Sequence, residues 1–542
     1  MNISQIFKYY LLKHKPLLIG VFFSNLIMVL TMLAAPYFIA NFIDGLILNS
    51  TISPLISILL YISGCYILGK FASFFASILT VKLHYISAFS FNLDIIEHVQ
   101  KLPLRFFENL DVVYLNRRIN DDSQDITEFV IDNLVNVFVH VTTLIGLLII
   151  LRNYDIEFVY ILLCVIVLYM ITYKVLHEWL YEKVYIQKES QNIFFSKLNE
   201  QFSQIKFIKT NSIADDLRKE IYLAFKKILD IVISFTKVNW LFLGIGDLVK
   251  YAAIIIVLFI GGTKVIQGTL SIGEFVVINS YYTMALESTS YFLGIGSSWQ
   301  GVSVSFDRVK KIFDEQTEQT GKIKITDINS IKFNDVTIAY PKRHPIINRF
   351  SYEFQKGNIY CIIGNNGSGK STLLNSIIGL VPLKSGTIMM NGYPIDQIDI
   401  NFLRRHIISF ADQDSVLLNM PIIRNIAIGC DNFTKKDAVF WINKLNLTQL
   451  IDSLPEGLNH QIDERIDNIS GGEKQRISQI RTFIKNASVI LLDEPTASLD
   501  HDSIARLKNI LLDLKKNKII IAVTHNDEFQ DVADRIVKML NT

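Results

Sequence analysis

The chain is short of charge. Only 19% of its 542 residues are Asp, Glu, Lys or Arg, against about a quarter in soluble globular proteins, and its mean hydropathy is +0.33. That scarcity excludes an ordinary soluble protein and implies lipid as the solvent of part of the chain. Net charge is scarce as well: 53 basic and 51 acidic residues leave +2, so no strong field favours nucleic acid or an acidic partner. The four cysteines, Cys65, Cys164, Cys361 and Cys430, stand far apart and form no CxxC or Cys/His cluster. Neither a disulfide framework nor a zinc site is expected from them. The length also excludes a single core, since cores rarely grow past about 250 to 300 residues.

Apolar runs are plentiful. Six stretches are long enough to cross a bilayer, near 17–43, 55–80, 128–151, 157–176, 239–262 and 273–297, where a span needs about 20 residues. The run from Leu17 to Ile43 exceeds a signal-peptide core and shows no clear small-residue cleavage site, so it is expected to remain as the first span. An even number of spans puts both ends on one side. Of lysine and arginine, the short turns at 44–54, 152–156 and 263–272 hold only Arg152 and Lys264, whereas the long connections carry Lys82, Lys101, Arg105, Lys183, Lys197, Lys206 and Lys209. By the positive-inside rule the N-terminus, the long connections and the C-terminal half are expected in the cytoplasm. Those connections have helical patterning with charged faces, so the spanning helices are expected to continue beyond the lipid.

After Asp314 the pattern changes. A polar stretch, 315–329, contains Gly321 and reads as a linker between a domain at 1–314 and another at 330–542. From Ser330 onward short Ile/Val strands alternate with helical stretches, as in an α/β domain. The expected fold is an all-α six-helix transmembrane domain followed by an α/β phosphate-loop nucleotide-binding domain.

Chemistry concentrates in the second part. Gly364-Asn365-Asn366-Gly367-Ser368-Gly369-Lys370-Ser371-Thr372 follows an apolar strand, Ile359 to Ile363, and precedes a helical stretch, Leu373 to Leu380. This is the phosphate-binding loop pattern in its strand-loop-helix setting. Glycines let backbone N–H groups face the phosphates, Lys370 meets the β- and γ-phosphates of ATP, and Ser371 can ligate Mg²⁺. A second apolar run, Val489 to Leu492, ends in Asp493-Glu494. Asp493 is expected to hold Mg²⁺ and Glu494 to act as general base on water, although two acids after a strand also suit a helix cap. A third strand, Lys518 to Val523, ends in Thr524-His525, with His525 expected to reach the γ-phosphate.

Ile469-Ser470-Gly471-Gly472-Glu473-Lys474-Gln475-Arg476 lies between these segments, and with it the chain resembles the ATP-binding cassette transporters, whose signature reads LSGGQ. Ile469 and Glu473 depart from that pattern; Ser470, Gly471 and Gly472 keep it. The resemblance implies a cassette with its own helical subdomain. It also implies that Ser470, Gly471, Gly472 and Glu473 close on the γ-phosphate held by a partner cassette. A helix N-cap with incidental glycines is the plain alternative. Residue by residue, Tyr340 matches the aromatic that stacks on adenine, with an ordinary core tyrosine as the alternative. Gln413 matches the glutamine that touches Mg²⁺, and Asp500, in Ser498-Leu499-Asp500, matches the loop that crosses between cassettes. Glu464-Arg465 matches a pair that contacts the membrane domain. Leu102 to Phe107 and Ile205 to Lys209 look like the approaches to the coupling helices of exporters. The resemblance weakens at Val112-Val113-Tyr114, where many exporters have glycine, and at the end, 17 residues past His525.

The implied mechanism is alternating access in a dimer, a homodimer being expected and a heterodimer remaining open, embedded in the cell membrane. Isoleucine, asparagine and lysine usage suggests an AT-rich bacterium. Four charges fall inside spans, Lys70, Asp247, Lys250 and Glu287. Such charges are costly in lipid and usually face a cavity, which Tyr281 and Tyr282 are expected to share; snorkelling lysines and an Asp247–Lys250 pair are the alternative. The transported substrate is expected to be a peptide, such as a bacteriocin or a modified peptide, with lipid or drug export, or import, as alternatives. A cassette-gated channel or a non-transport ATPase is disfavoured by Glu494, a residue that such channels tend to lose at one site.

Overall fold

The structure, a computed structural model, describes residues 10, 12–48, 51–107, 112–339, 344–463, 469–525 and 527–539. The chain divides into two compact units, Met1–Leu102 with Asn109–Gln316, and Pro103–Glu108 with Thr317–Thr542.

The first unit is helical: α1 Lys15–Ile47, α2 Ile52–Gln100, α3 Val112–Tyr154, α4 Ile156–Ser203, the short α5 Ile205–Asn211, α6 Ala214–Ile266 and α7 Ile272–Asp314. The six expected spans lie one each in α1, α2, α3, α4, α6 and α7. Among the described residues, Leu12–Ile47, Ile52–Gln100, Ile119–Tyr154 and Ala214–Ile266 are long and apolar enough to cross a membrane, and Ile156–Thr172 is a shorter apolar helix. The helices α2 and α6 have 49 and 53 residues. At 1.5 Å per residue they reach about 74 and 80 Å, more than twice the roughly 30 Å of a hydrocarbon core. They therefore continue as helices well past the lipid.

Lipid tails give helices no apolar preference for one another, so close approach and polar ties fix their packing. Gly146 of α3 lies so near α1 that a Cβ there would stand 2.6 Å from Leu33 Cδ1. At the end of the bundle with the short turns, Asp44 in the last turn of α1 accepts from Ser271 Oγ at 2.6 Å and from the Gly273 N–H at 2.8 Å. Ser271 caps α7, with Glu274 completing a capping box. Lys264, near the end of α6, pairs with Asp155, the N-cap of α4, and with Glu157 at 3.0 Å.

The second unit holds two sheets. Strands β1 Ser330–Ile338, β2 Ile347–Gln355, β4 Ser385–Met390 and β5 Tyr393–Pro394 form an antiparallel sheet in the order β2-β1-β4-β5. Strands β3 Ile359–Ile363, β6 Ile408–Ala411, β7 Val489–Asp493, β8 Ile519–Val523 and β9 Arg535–Lys538 form a parallel sheet in the order β6-β7-β8-β3-β9. All five residues of β7 and of β8 are buried, which is why β8 and the first four residues of β7 are continuously apolar. Alternate side chains serve different cores: Leu491 and Ile521 pack with Leu373 and Ile377, while Ile490 and Ile520 pack with Ile480 and Leu507. The α-helices longer than three residues are α8 Lys370–Ile377, α9 Ile422–Ala427, α10 Lys435–Lys444, α11 Thr448–Ser453, α12 Gly471–Ile484, α13 His501–Leu514 and α14 Asp527–Gln530. Ile426 of α9, Ile442 of α10 and Ile451 of α11 share the core of α12, forming the helical part of the cassette.

The stretch read as a linker at 315–329 is in large part docked. The Gly321 N–H donates to Ile398 O at 2.9 Å and the Ile323 N–H to Gln397 O at 3.0 Å. Glu318 pairs with Arg404 at 2.6 Å, and Ile325 and Ile328 are core residues. A Cβ at Gly321 would fall 1.9 Å from the Gln397 carbonyl carbon, so glycine is required for close approach. Attachment through backbone explains why so polar a segment is nonetheless ordered.

Candidate functional site

The chemistry-bearing segments leave the carboxyl ends of β3, β6, β7 and β8, where ligands collect in parallel sheets. After β3, Gly367 and Gly369 turn the loop with φ of 82° and 90°, a region L side chains rarely adopt. A Cβ at Gly369 would also stand 2.7 Å from Ile346 Cγ2. The turn delivers Ser368, Gly369 and Lys370 to the interior and leaves Asn365, Asn366, Gly367 and Ser371 exposed, with Gly364 and Thr372 half-buried. Lys370 opens α8, and its Nζ donates to Gly364 O at 2.9 Å and Asn365 O at 3.1 Å. A buried ammonium thus sits inside a curl of backbone beside the unpaired N–H groups of a helix start, an arrangement that can take a polyphosphate.

At the end of β7, Asp493 is buried, and its Oδ1 has no hydrogen-bond partner. Burial pushes its carboxyl above the usual carboxylate range, while a hydrogen bond with Ser371 pulls it the other way. A buried, unpartnered carboxylate oxygen beside a serine hydroxyl is a set of hard oxygen donors that fits Mg²⁺. Among the described residues no group of three or more His, Cys, Asp or Glu could hold a metal. Mg²⁺ needs no such group, since it takes one or two protein oxygens and fills its shell with phosphate and water.

The next residue, Glu494, has φ of 47°, a conformation that costs a non-glycine residue roughly 1–2 kcal/mol. Its N–H is fixed to Val523 O at 2.9 Å. The kink sends its carboxylate sideways, to 3.3 Å from Gln413 Nε2 and 3.7 Å from His525 Nε2. Gln413, Glu494 and His525, which follow three neighbouring strands, are thereby brought together.

The signature residues gather elsewhere. Ser470 is the N-cap of α12, with its hydroxyl accepting the Glu473 N–H at 3.3 Å. Gly472 lies against the loop after β7, where a Cβ would stand 2.5 Å from Ser498 O. Asp500 caps α13, accepting the Ser503 N–H at 2.8 Å; its bonds with Ser503 hold its carboxyl below the usual range. Ser470, Gly471, Gly472, Glu473 and Asp500 therefore form a second cluster, and capping is the local role of Ser470 and Asp500 whatever else they do. Tyr340, Glu464 and Arg465 lie outside the described residues.

In the helical unit, Lys70, Asp247 and Glu287 are exposed and Lys250 is half-buried. Tyr281 and Tyr282 do not join them. Both are buried with α1, α3, α4 and α6 residues such as Leu33, Leu147, Leu162 and Val257, and the Tyr281 hydroxyl donates to Leu33 O at 2.7 Å. The Tyr281 hydroxyl is thus satisfied by a neighbouring helix, as in packing, whereas that of Tyr282 is buried without a hydrogen-bond partner among the described residues. The sequence reading passed over a pocket of about 420 Å³ between α3 and α7, whose lining includes Asp125, Glu128, Asp132, Asn136, Tyr291 and Ser298. Its signal was the recurrence of Asp125, Glu128 and Asp132 at positions i, i+3 and i+7 of one helix.

Comparison with known proteins covers both units. The ABC transporter transmembrane region family matches residues 18–288 and the ABC transporter family residues 347–497. The chain is 27% identical to a putative multidrug export ATP-binding/permease protein, YgaD of Bacillus subtilis, over 82% of its own length and 77% of that protein. It is 29% identical to the leukotoxin translocation ATP-binding protein LktB of Mannheimia glucosida over 54% of its own length and 42% of that protein. A bacterial Atm1-family ABC exporter with ATP bound has the same fold, with a TM-score of 0.87 at 20% identity over 97% of this chain and 93% of that one. The chain belongs to the ABC transporter family, as an exporter-type half-transporter whose transmembrane region and ATP-hydrolysing domain are fused in one polypeptide.

Proposed function

We propose that two copies of this chain form the working exporter and that the cargo is a peptide bearing positively charged side chains. The nucleotide half of this reading is carried by the convergence of Lys370, Asp493, Glu494, His525 and Gln413 at neighbouring strand ends of one sheet. In it, Lys370 and the N–H groups of Gly367 to Thr372 hold the phosphates of ATP. Ser371, Asp493 and Gln413 hold Mg²⁺, which when bound neutralises charge on the β- and γ-phosphates. Glu494 accepts a proton from water as its oxygen attacks the γ-phosphorus, and ADP departs. His525 donates to the γ-phosphate. Tyr340 stacks on adenine. Ser470, Gly471 and Gly472 of one chain face the nucleotide held by the other, with Asp500 in the crossing loop.

The cargo half draws on the pocket between α3 and α7. Its volume lies in the usual range for small-ligand sites, about 300–1,000 Å³, and three carboxylates on its wall attract a cationic group. Translocation of a leukotoxin by a relative supports a polypeptide cargo. In this reading the exposed Lys70, Asp247 and Glu287 and the half-buried Lys250 also meet the cargo. The lysine and arginine distribution supports cytoplasmic termini, and the isoleucine, asparagine and lysine usage supports a bacterial cell membrane.

Two measurements test the proposal. Glu494→Gln protein in lipid nanodiscs should lose hydrolysis by about 100-fold or more and retain Mg-ATP as a stable dimer; monomeric protein that releases ADP at the normal rate is incompatible with the site. For cargo, ATPase stimulation is compared across cationic peptides, neutral peptides, lipids and dyes. Stimulation by lipids or dyes alone would remove the peptide reading.

A further inference from the structure

One buried side chain ties two functional segments together and has no part in the reactions above. Gln475 lies on α12, shortly after the signature residues, and is 5% exposed. Both ends of its amide are used. Nε2 donates to the carbonyl oxygen of Glu494 at 2.9 Å, and Oε1 accepts the N–H of Ser498 at 3.2 Å. One turn later, Gln479 Nε2 donates to Pro495 O at 2.9 Å. The helix that begins with the signature thus grips the loop that begins with Glu494.

Geometry gives this grip its meaning. Glu494 is held in the left-handed region, at φ of 47°, where an ordinary residue stays only if its surroundings over-determine it. Val523 O fixes its N–H, and its carbonyl receives Gln475 Nε2 together with the Ala497 N–H at 3.2 Å. Releasing the carbonyl unpins the peptide plane after Glu494 and lets φ relax together with ψ; rotation about N–Cα then turns the Cβ, and with it the carboxylate, away from Gln413 and His525. Releasing the Ser498 N–H loosens the strand of backbone against which Gly472 is packed.

We propose that Gln475 is a positioning residue for hydrolysis. It aims the Glu494 carboxylate through the Glu494 backbone and makes the start of α12 and the base move as one piece. This rests on the reading of Glu494 as general base and of Ser470–Gly472 as facing the partner's nucleotide. On that reading, each chain's Gln475 links the phosphate gripped by its signature residues to the water activated at its own site.

The test uses the full chain in nanodiscs, with Gln475→Met, which keeps length and removes both hydrogen bonds, and Gln475→Glu, which keeps the acceptor for Ser498 and removes the donor to Glu494. The measurements are kcat, KM for ATP, ATP binding without Mg²⁺, and the melting temperature. In both variants kcat should fall about tenfold or more, with KM and ATP binding within about twofold of wild type, the pattern of an interaction used at the transition state. A kcat near wild type in Gln475→Met overturns the inference. So does a loss of kcat that merely parallels losses of ATP binding and melting temperature, which is what packing alone produces. Glu494→Gln separates the two levels: if it hydrolyses ATP normally, the base assignment falls and takes this inference with it, whereas an inactive Glu494→Gln beside a fully active Gln475→Met sinks the inference alone.

Discussion

Glu473 takes both hydrogen bonds that Ser470 can give on a single carboxylate oxygen, the backbone N–H at 2.8 Å and the hydroxyl at 2.7 Å. As a capping box this favours α12. As part of a surface proposed to receive a phosphate it places a negative charge at the helix start and engages the very hydroxyl that would meet the ligand.

Glu473→Gln should therefore lower the ATP concentration needed for half-maximal hydrolysis. The cap survives, because a glutamine oxygen still accepts from Ser470, and the removed repulsion is worth about 0.3–1 kcal/mol, or roughly two- to fivefold. Hydrolysis titrated against ATP reads this directly. A KM that stays the same or rises would show that Glu473 does not oppose the incoming phosphate.

Asp493→Asn separates nucleotide from metal. The variant should fold as well as wild type, since burial already pushes the Asp493 carboxyl towards its neutral form and an amide has no charge to desolvate. Calorimetric ATP binding in EDTA should match wild type within about twofold, while the gain from Mg²⁺ disappears and hydrolysis falls about 100-fold or more. A preserved Mg²⁺ effect excludes Asp493 from the metal.

Lys518 predicts a pH dependence of stability. It is 7% exposed and donates to Asn486 Oδ1 and Ala487 O, both at 2.7 Å. Burial, helped by nearby Lys356 and opposed by Asp327, pushes its pKa down to about 8, against about 10.4 in an unfolded chain. Between those values the unfolded chain binds more protons, so stability rises with pH across the window, and the cost of the buried charge is present in full below about pH 8. The melting temperature of wild type should gain on that of Lys518→Met from pH 7.5 to 10, by the equivalent of roughly 2–3 kcal/mol. Parallel curves would mean that Lys518 keeps its proton throughout.

Two glycines of the helical unit should respond in opposite directions. A Cβ at Gly273 would stand 2.4 Å from Ala40 O and 2.6 Å from the Asp44 carboxylate, whereas Gly262 has nothing within 4 Å. Gly273→Ala should displace Asp44 from Ser271 and lower the melting temperature, at a cost on the order of 2–3 kcal/mol. Gly262→Ala, inside α6, should raise stability by up to about 1 kcal/mol. Equal effects would refute the tight joint between α1 and α7.

Sequence reasoning reached furthest where a short contiguous pattern fixes local geometry. The strand Ile359–Ile363, the glycine turn and the helix from Lys370 follow from residue types at fixed spacing, as does the buried run ending at Asp493. It failed where three-dimensional approach decides. The packing of Tyr281 against α1 was not legible, because in lipid a helix-facing surface and a lipid-facing one have much the same composition and periodicity cannot tell them apart. Residues 318–328 read as a linker because their attachment runs through backbone at Gly321 and Ile323, which composition does not record. Asp125 lies just outside the expected span 128–151 and Glu128 is its first residue, so neither counts as a charge well inside the membrane, although the helix that carries them continues without a break. Gln475 stands in the segment that carries the family resemblance, but its role was not legible, since its two partners lie 19 and 23 residues away along the chain.

The length of α2, which runs unbroken for 49 residues, has a mechanical consequence. A rod of about 74 Å turned by about 5° around one end moves the other by about 6 Å, the width of a side chain. So small a rotation leaves side chains near the pivot in their rotamers while the far tip travels the distance between two binding geometries. A helix that outreaches the bilayer is thus a lever, and stiffness along its middle, where no residue touches ATP or cargo, becomes a property on which transport depends.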